Sequence, residues 1–110
     1  IKSNSQTIYT FETGAILESQ HKKDEAVSEY LKALEGDEGK AQNRLRSLAE
    51  KTEDLEKINA VFERQEKSDW KTLHYAEILR DLEKTGQANG ILRRQILQSK
   101  NIRFLEAAAD

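Results

Sequence analysis

The sequence predicts an all-α fold built from helical hairpins stacked in series, and three observations predict it. Apolar residues recur at helical rather than alternating spacing. The chain contains no proline and only five glycines, so it lacks the punctuation that loop-rich and β-sandwich chains place at their turns. A pair of amphipathic segments joined by a short polar turn, best formed over 14–34, returns in weaker copies about every ~33 residues, a period of helix-pair repeats.

Composition fits thin elements that must stack. Hydrophobic residues are 36% of the chain and charged residues 35%, which suits helices that each bury a single stripe. One domain over 1–110 is expected: the length supports a modest core, whereas below ~70 residues a single core is doubtful. A net charge of −2 gives no overall attraction to nucleic acid or an anionic surface, although a local patch stays open. The absence of cysteine excludes a disulfide scaffold and thiolate chemistry and leaves the compartment undecided. No apolar run approaches the ~18 residues needed to span a bilayer, so no membrane insertion is expected.

The elements follow in order. A first helix is expected over about 7–20 from Ile8, Phe11, Ile16 and Leu17, with His21, Lys22 and Lys23 making the turn. A second, about 24–35, carries Ala26, Val27, Tyr30, Leu31, Ala33 and Leu34 on one broad face, and Gly36 is the expected C-cap. The segment 40–67 reads as two helices broken at Thr52, a candidate N-cap with Glu53 and Asp54 in the first turn. Leu48, Leu55 and Phe62 fall seven apart, so a single coiled-coil-like helix is the rival reading. Ser68 and Asp69 cap a helix over about 70–84, Thr85-Gly86 turns the chain, and a partner helix runs over about 87–99.

Asn101 then looks like a cap for a new helix that stops at Asp110. Together with Ile1 in place of a starting methionine, this suggests a processed or trimmed piece of a longer array. The repeats are set at about 7–36, 40–67 and 69–99, with a partial helix over 101–110. With His21, Glu53 and Gly86 taken as one turn position, the copies lie 32 and 33 residues apart, and apolar positions coincide on both sides of the turn.

Gly14, Ala26, Tyr30 and Ala33 match in position and type the pattern of the tetratricopeptide repeat, which the first hairpin resembles: small residues in both helices and an aromatic late in the second. On the same register the second copy has Arg46 and Gln65 where Gly14 and Ala33 stand, and the third has Leu79, Ile91, Gln95 and Gln98. The proline frequent after the second helix is missing. The resemblance, covering about 7–99, implies a right-handed α-α superhelix (solenoid) of about three helix-turn-helix repeats plus a truncated capping helix. It also implies a concave groove, lined by the first helix of each pair, that binds a protein or peptide partner. Carried over by position, that groove shows Ile8, Phe11, Ala15, Glu18 and Ser19, then Lys40, Asn43, Ser47, Glu50 and Lys51, then Leu73, Ala76, Arg80, Glu83 and Lys84. Phe11 and Ala15 stand where some members carry a Lys and Asn pair that grips a terminal carboxylate, so binding of that type is not expected.

Each site residue has a plainer reading beside it. Phe11 either anchors an apolar ligand side chain or is covered by a further repeat. Trp70 reads as a packing anchor before a ligand platform. Arg80 and Lys84 either hold an acidic peptide or belong to a solvated face paired internally with Glu77 and Glu83. Arg93, Arg94, Lys100 and Arg103 form the most basic cluster, suited to an acidic partner or phosphate, and cations at a helix end are also stabilised by the helix dipole.

Chemistry has little to work with. Glu18 and His21 form Glu-x-x-His, but a di-metal bundle site needs a second copy, and Lys71 stands three residues before His74. With two histidines, no cysteine and no glycine-rich phosphate loop, no enzymatic activity, cofactor or metal is expected. The expected function is a protein or peptide interaction module. The alternative is a structural spacer or self-association domain attached to a catalytic or membrane domain elsewhere in the parent protein.

Overall fold

The computed structural model describes residues 2–35 and 39–109, and the side chains of 11–35 and 39–107. These residues form seven α-helices: α1 (Lys2–Ser19), α2 (Lys23–Ala33), α3 (Gly39–Leu48), α4 (Thr52–Arg64), α5 (Asp69–Asp81), α6 (Thr85–Gln98) and α7 (Ile102–Ala109). Strands are absent from the described residues. The side chain of Ile8 and the expected cap Gly36 lie outside them.

The helices form where the apolar stripes predict, except that α1 begins at Lys2, five residues before its expected start. Leu31, Leu45, Ile58, Ile78 and Leu79 are buried, and each contributes about 1.5–3 kcal/mol through area removed from water. α1 packs along α2 and α5 along α6, the two most extensive contacts. α2 also touches α3, α4 and α5, while α3 lies on α5, and α7 closes against α5 and α6. The molecule measures 39 × 37 × 21 Å, and its short dimension equals about two helix diameters.

Helix ends are set by specific hydrogen bonds. The Ser68 side chain accepts from the Lys71 amide (3.3 Å), and Asn101 Oδ1 accepts from the amides of Arg103 (3.0 Å) and Phe104 (3.3 Å). These caps begin α5 and α7, as expected for Ser68 and Asn101. The segment 40–67 is two helices rather than one, with the break at 49–51. Thr52, however, is the first helical residue, and the N-cap is Lys51, which makes no side-chain capping bond.

The turns give a different register from the expected one. α1 ends with His21 at φ 63°, its amide donating to the Glu18 carbonyl (3.0 Å) while the Lys22 amide donates to that of Leu17 (2.9 Å). α5 ends identically: Glu83 has φ 63°, its amide donates to Arg80 (2.9 Å), and that of Lys84 donates to Leu79 (2.7 Å). Both are Schellman closures, in which one left-handed residue lets two amides reach the last helical carbonyls. The third turn is therefore 82–84, and Thr85 and Gly86 belong to α6. Since α2, α4 and α6 start at 23, 52 and 85, the copies lie 29 and 33 residues apart, rather than 32 and 33.

In this register Gly14 corresponds to Asn43 and Ala76, and Ala26 to Leu55 and Ala88. A Cβ at Gly14 would sit 2.6 Å from Tyr30 Cε1, so the missing side chain is what lets α1 and α2 meet. Ala76 and Ala88, both fully buried, hold the matching places in the third hairpin.

Candidate functional site

The odd-numbered helices, expected to line the groove, are joined by side-chain rungs. Glu18 of α1 accepts from Tyr30 Oη (2.8 Å) and from Arg44 Nε of α3 (2.9 Å), with a second Arg44–Glu18 contact beside it. Between α3 and α5, Gln42 donates to Glu77 (3.5 Å) and Arg46 lies 3.7 Å from Asp81. Asn43, Ser47, Glu50 and Lys51 are exposed on or just after α3, as are Arg80 and Glu83 at the end of α5. Lys84 and Ala15 are half-buried.

Three expected members behave differently, and the first, Leu73, is buried in the core. Ala76 is 0% exposed and belongs to the core, because in the observed register it holds the helix-crossing position of Gly14 rather than a position on the groove. Phe11 is half-buried against Tyr30, with ring centroids 5.6 Å apart. Glu77 is not a partner of Arg80 or Lys84: it accepts from Gln42 and lies 3.0 Å from His74 Nδ1. Trp70, expected to be a packing anchor, is 38% exposed.

A second ladder joins the even-numbered helices. Lys23 of α2 pairs with Asp54 of α4 (3.0 Å), and that hydrogen bond holds the Asp54 carboxyl below its usual range. Asn59 of α4 donates to Gln87 of α6 (3.2 Å), and Arg94 of α6 donates to Glu63 of α4 (2.8 Å), again lowering the carboxyl. Beneath the last two rungs is a cleft of about 400 Å³ with Phe62, Tyr75, Leu79 and Ile91 among its lining residues. Phe62 and Tyr75 stack with centroids 4.4 Å apart, and burial pushes the Tyr75 hydroxyl pKa up while it donates to Asn59.

Three buried polar residues went unseen in the sequence. Lys71 is 1% exposed; its ammonium donates to Gln65 Oε1 and to the Glu66 carbonyl (3.0 Å), and burial pushes its pKa down to about 8. Gln95 reaches Asp69 (2.8 Å) and accepts from Thr72 (3.4 Å). These groups tie the 65–68 linker and α6 to the start of α5. A sequence signal existed for Lys71: it stands 33 residues before the buried Phe104, at the same distance from its N-cap.

The rungs are salt bridges and amide pairs, fit for holding helices in register. No group of three or more His, Asp or Glu side chains among the described residues could hold a metal. No helix among them is long and apolar enough to cross a membrane. The chain matches no family model, no curated protein and no solved structure.

Proposed function

We propose that the chain is a protein- or peptide-recognition module without enzymatic activity, acting as a right-handed solenoid of the tetratricopeptide kind. The observation that carries this reading is the ladder Glu18–Arg44, Gln42–Glu77 and Arg46–Asp81. Paired side chains across three successive first helices fix one continuous face before any partner arrives. A preformed face lowers the ordering cost of binding on the module's side. Support also comes from Gly14, Ala26, Ala76 and Ala88, which give the first and third hairpins the close helix crossings of that family.

The face offers polar and charged groups, Asn43, Ser47, Glu50 and Arg80, rather than an apolar trough. Its partner is accordingly a polar, mixed-charge segment held by hydrogen bonds, with register set by shape. Photo-crosslinking in lysate of the source organism tests this, with probes at Ser47 and Arg80 and a control at Lys57 on α4. A discrete foreign protein captured from both face positions, and not from Lys57, is expected. Self-adducts from all three positions would replace recognition with the spacer or self-association reading.

A further inference from the structure

We propose that the corner where α5 begins, α6 ends and α7 begins docks onto an anionic lipid surface. Asp69 organises this corner. It accepts from Gln95 Nε2 (2.8 Å) and from Ser99 Oγ (2.7 Å), and Ser99 Oγ in turn accepts from the Asn101 amide (3.1 Å). Three chain segments are thereby pinned together. Three of the four exposed large apolar residues of the described chain lie close in sequence to these pinned residues: Trp70, next to Asp69; Leu97, two residues from both Gln95 and Ser99; and Ile102, next to Asn101.

Leu97 is 86% exposed and Ile102 70%. In the repeat register Leu97 corresponds to Arg64, and Ile102 to Asp69. At both places the preceding repeat is polar, so stacking does not require an apolar residue at either position.

Charge supplies the second observation. From Lys84 to Leu105 the chain carries five cations and no carboxylate, although the whole chain is net acidic. Arg94 is engaged by Glu63, whereas Arg93, Lys100 and Arg103 are exposed within the stretch that holds Leu97 and Ile102. Of the nearest carboxylates, Asp69 is engaged by Gln95 and Ser99, and Glu66 and Glu106 flank the corner.

The geometry favours lipid over a folded partner. A stable protein contact buries roughly 800 Å² on each side, and three side chains at a meeting of helix ends fall well short of that. A bilayer surface needs less: a few apolar anchors entering the headgroup boundary, with cations drawn to anionic headgroups. Tryptophan suits the same boundary, because its ring is apolar with one polar edge. This is a surface docking distinct from the odd-helix face, and no segment need span the bilayer.

Sedimentation of the 110-residue chain with phosphatidylcholine vesicles, with and without phosphatidylserine, tests the proposal. Trp70, the sole tryptophan, reports entry directly through its emission. Partition onto the anionic vesicles alone is expected, with a blue shift and weakening in salt. Arg93→Gln, Lys100→Gln and Arg103→Gln together should weaken it roughly a hundredfold, at about fivefold per cation. Leu97→Ser with Ile102→Ser should abolish the blue shift while helix content stays unchanged, since both side chains are exposed. Equal partition onto both vesicle types, an unmoved emission, or a blue shift surviving Leu97→Ser with Ile102→Ser would overturn it. So would binding to a poly-glutamate peptide or polyuridylate without binding to vesicles.

Discussion

The first and third hairpins close in the same way, and the second does not. α1–α2 and α5–α6 each turn through one left-handed residue, His21 and Glu83, and each crosses over small residues, Gly14 with Ala26 and Ala76 with Ala88. The second hairpin has Asn43 and Leu55 at those places, and Glu50 is not left-handed. Its two helices accordingly pack more on their neighbours than on each other: α3 on α2 and α5, α4 on α2. A hairpin in this chain can thus be held by its own crossing or by its surroundings, and the two kinds should fail differently when mutated.

The largest expected effect strikes the hairpin held by its surroundings. Phe62 joins α4 to α5 through its stack on Tyr75 and is 1% exposed. Phe62→Ala should cost about 3–5 kcal/mol in urea unfolding, the usual penalty for deleting a buried ring. Fluorescence of Trp70 on α5 and far-ultraviolet dichroism should then lose coincidence, because the other ties of α4 to the third hairpin are polar side-chain pairs, Asn59 with Gln87 and Tyr75 and Glu63 with Arg94. Coincident transitions would mean that the middle hairpin is better integrated than its contacts indicate.

A smaller pair of substitutions breaks the comparison at one crossing. Gly14→Ala places a methyl against the Tyr30 ring and should destabilise by about 1–3 kcal/mol, as overpacking does. Gly90→Ala, inside α6 where a Cβ meets nothing within 4 Å, should stabilise by about 1 kcal/mol through helix propensity. Thermal melts of the two variants should therefore move in opposite directions. If Gly14→Ala were neutral, the close crossing would not be what distinguishes the first hairpin.

Much of the helical architecture was legible because each helix buries one stripe, and a stripe such as Leu55, Ile58, Val61 and Phe62 has only one period that fits. The register of the second and third copies was not: the second turn falls at Glu50 rather than Glu53, and the third at Glu83 rather than Gly86. Gly86 attracted the turn because glycine is the usual left-handed residue, yet the chain puts Glu83 there, and nothing in composition marks a glutamate for that conformation. That displacement of three residues hid Ala76 and Ala88 as partners of Gly14 and Ala26, and put Ala76 on the groove. The rungs were illegible for another reason. Glu18 and Arg44 are 26 residues apart, Arg46 and Asp81 are 35, and their pairing depends on the lateral register of α1, α3 and α5, which apolar spacing within one helix does not encode.

The smallest effect separates the two kinds of turn. A left-handed conformation costs a residue with a Cβ about 1–2 kcal/mol, and glycine escapes that while losing about 0.5–1 kcal/mol through the freedom of its unfolded chain. At Glu83 the first quantity exceeds the second, so Glu83→Gly should raise stability by about 0.5–1 kcal/mol. At Glu50, where φ is not positive, only the loss operates, and Glu50→Gly should lower stability by about 0.5–1 kcal/mol. Both residues are exposed, so the difference between the two unfolding curves reports backbone conformation alone. Equal shifts would show that the middle turn closes as the outer two do, and that the middle hairpin's looseness resides in Asn43 and Leu55 at its crossing.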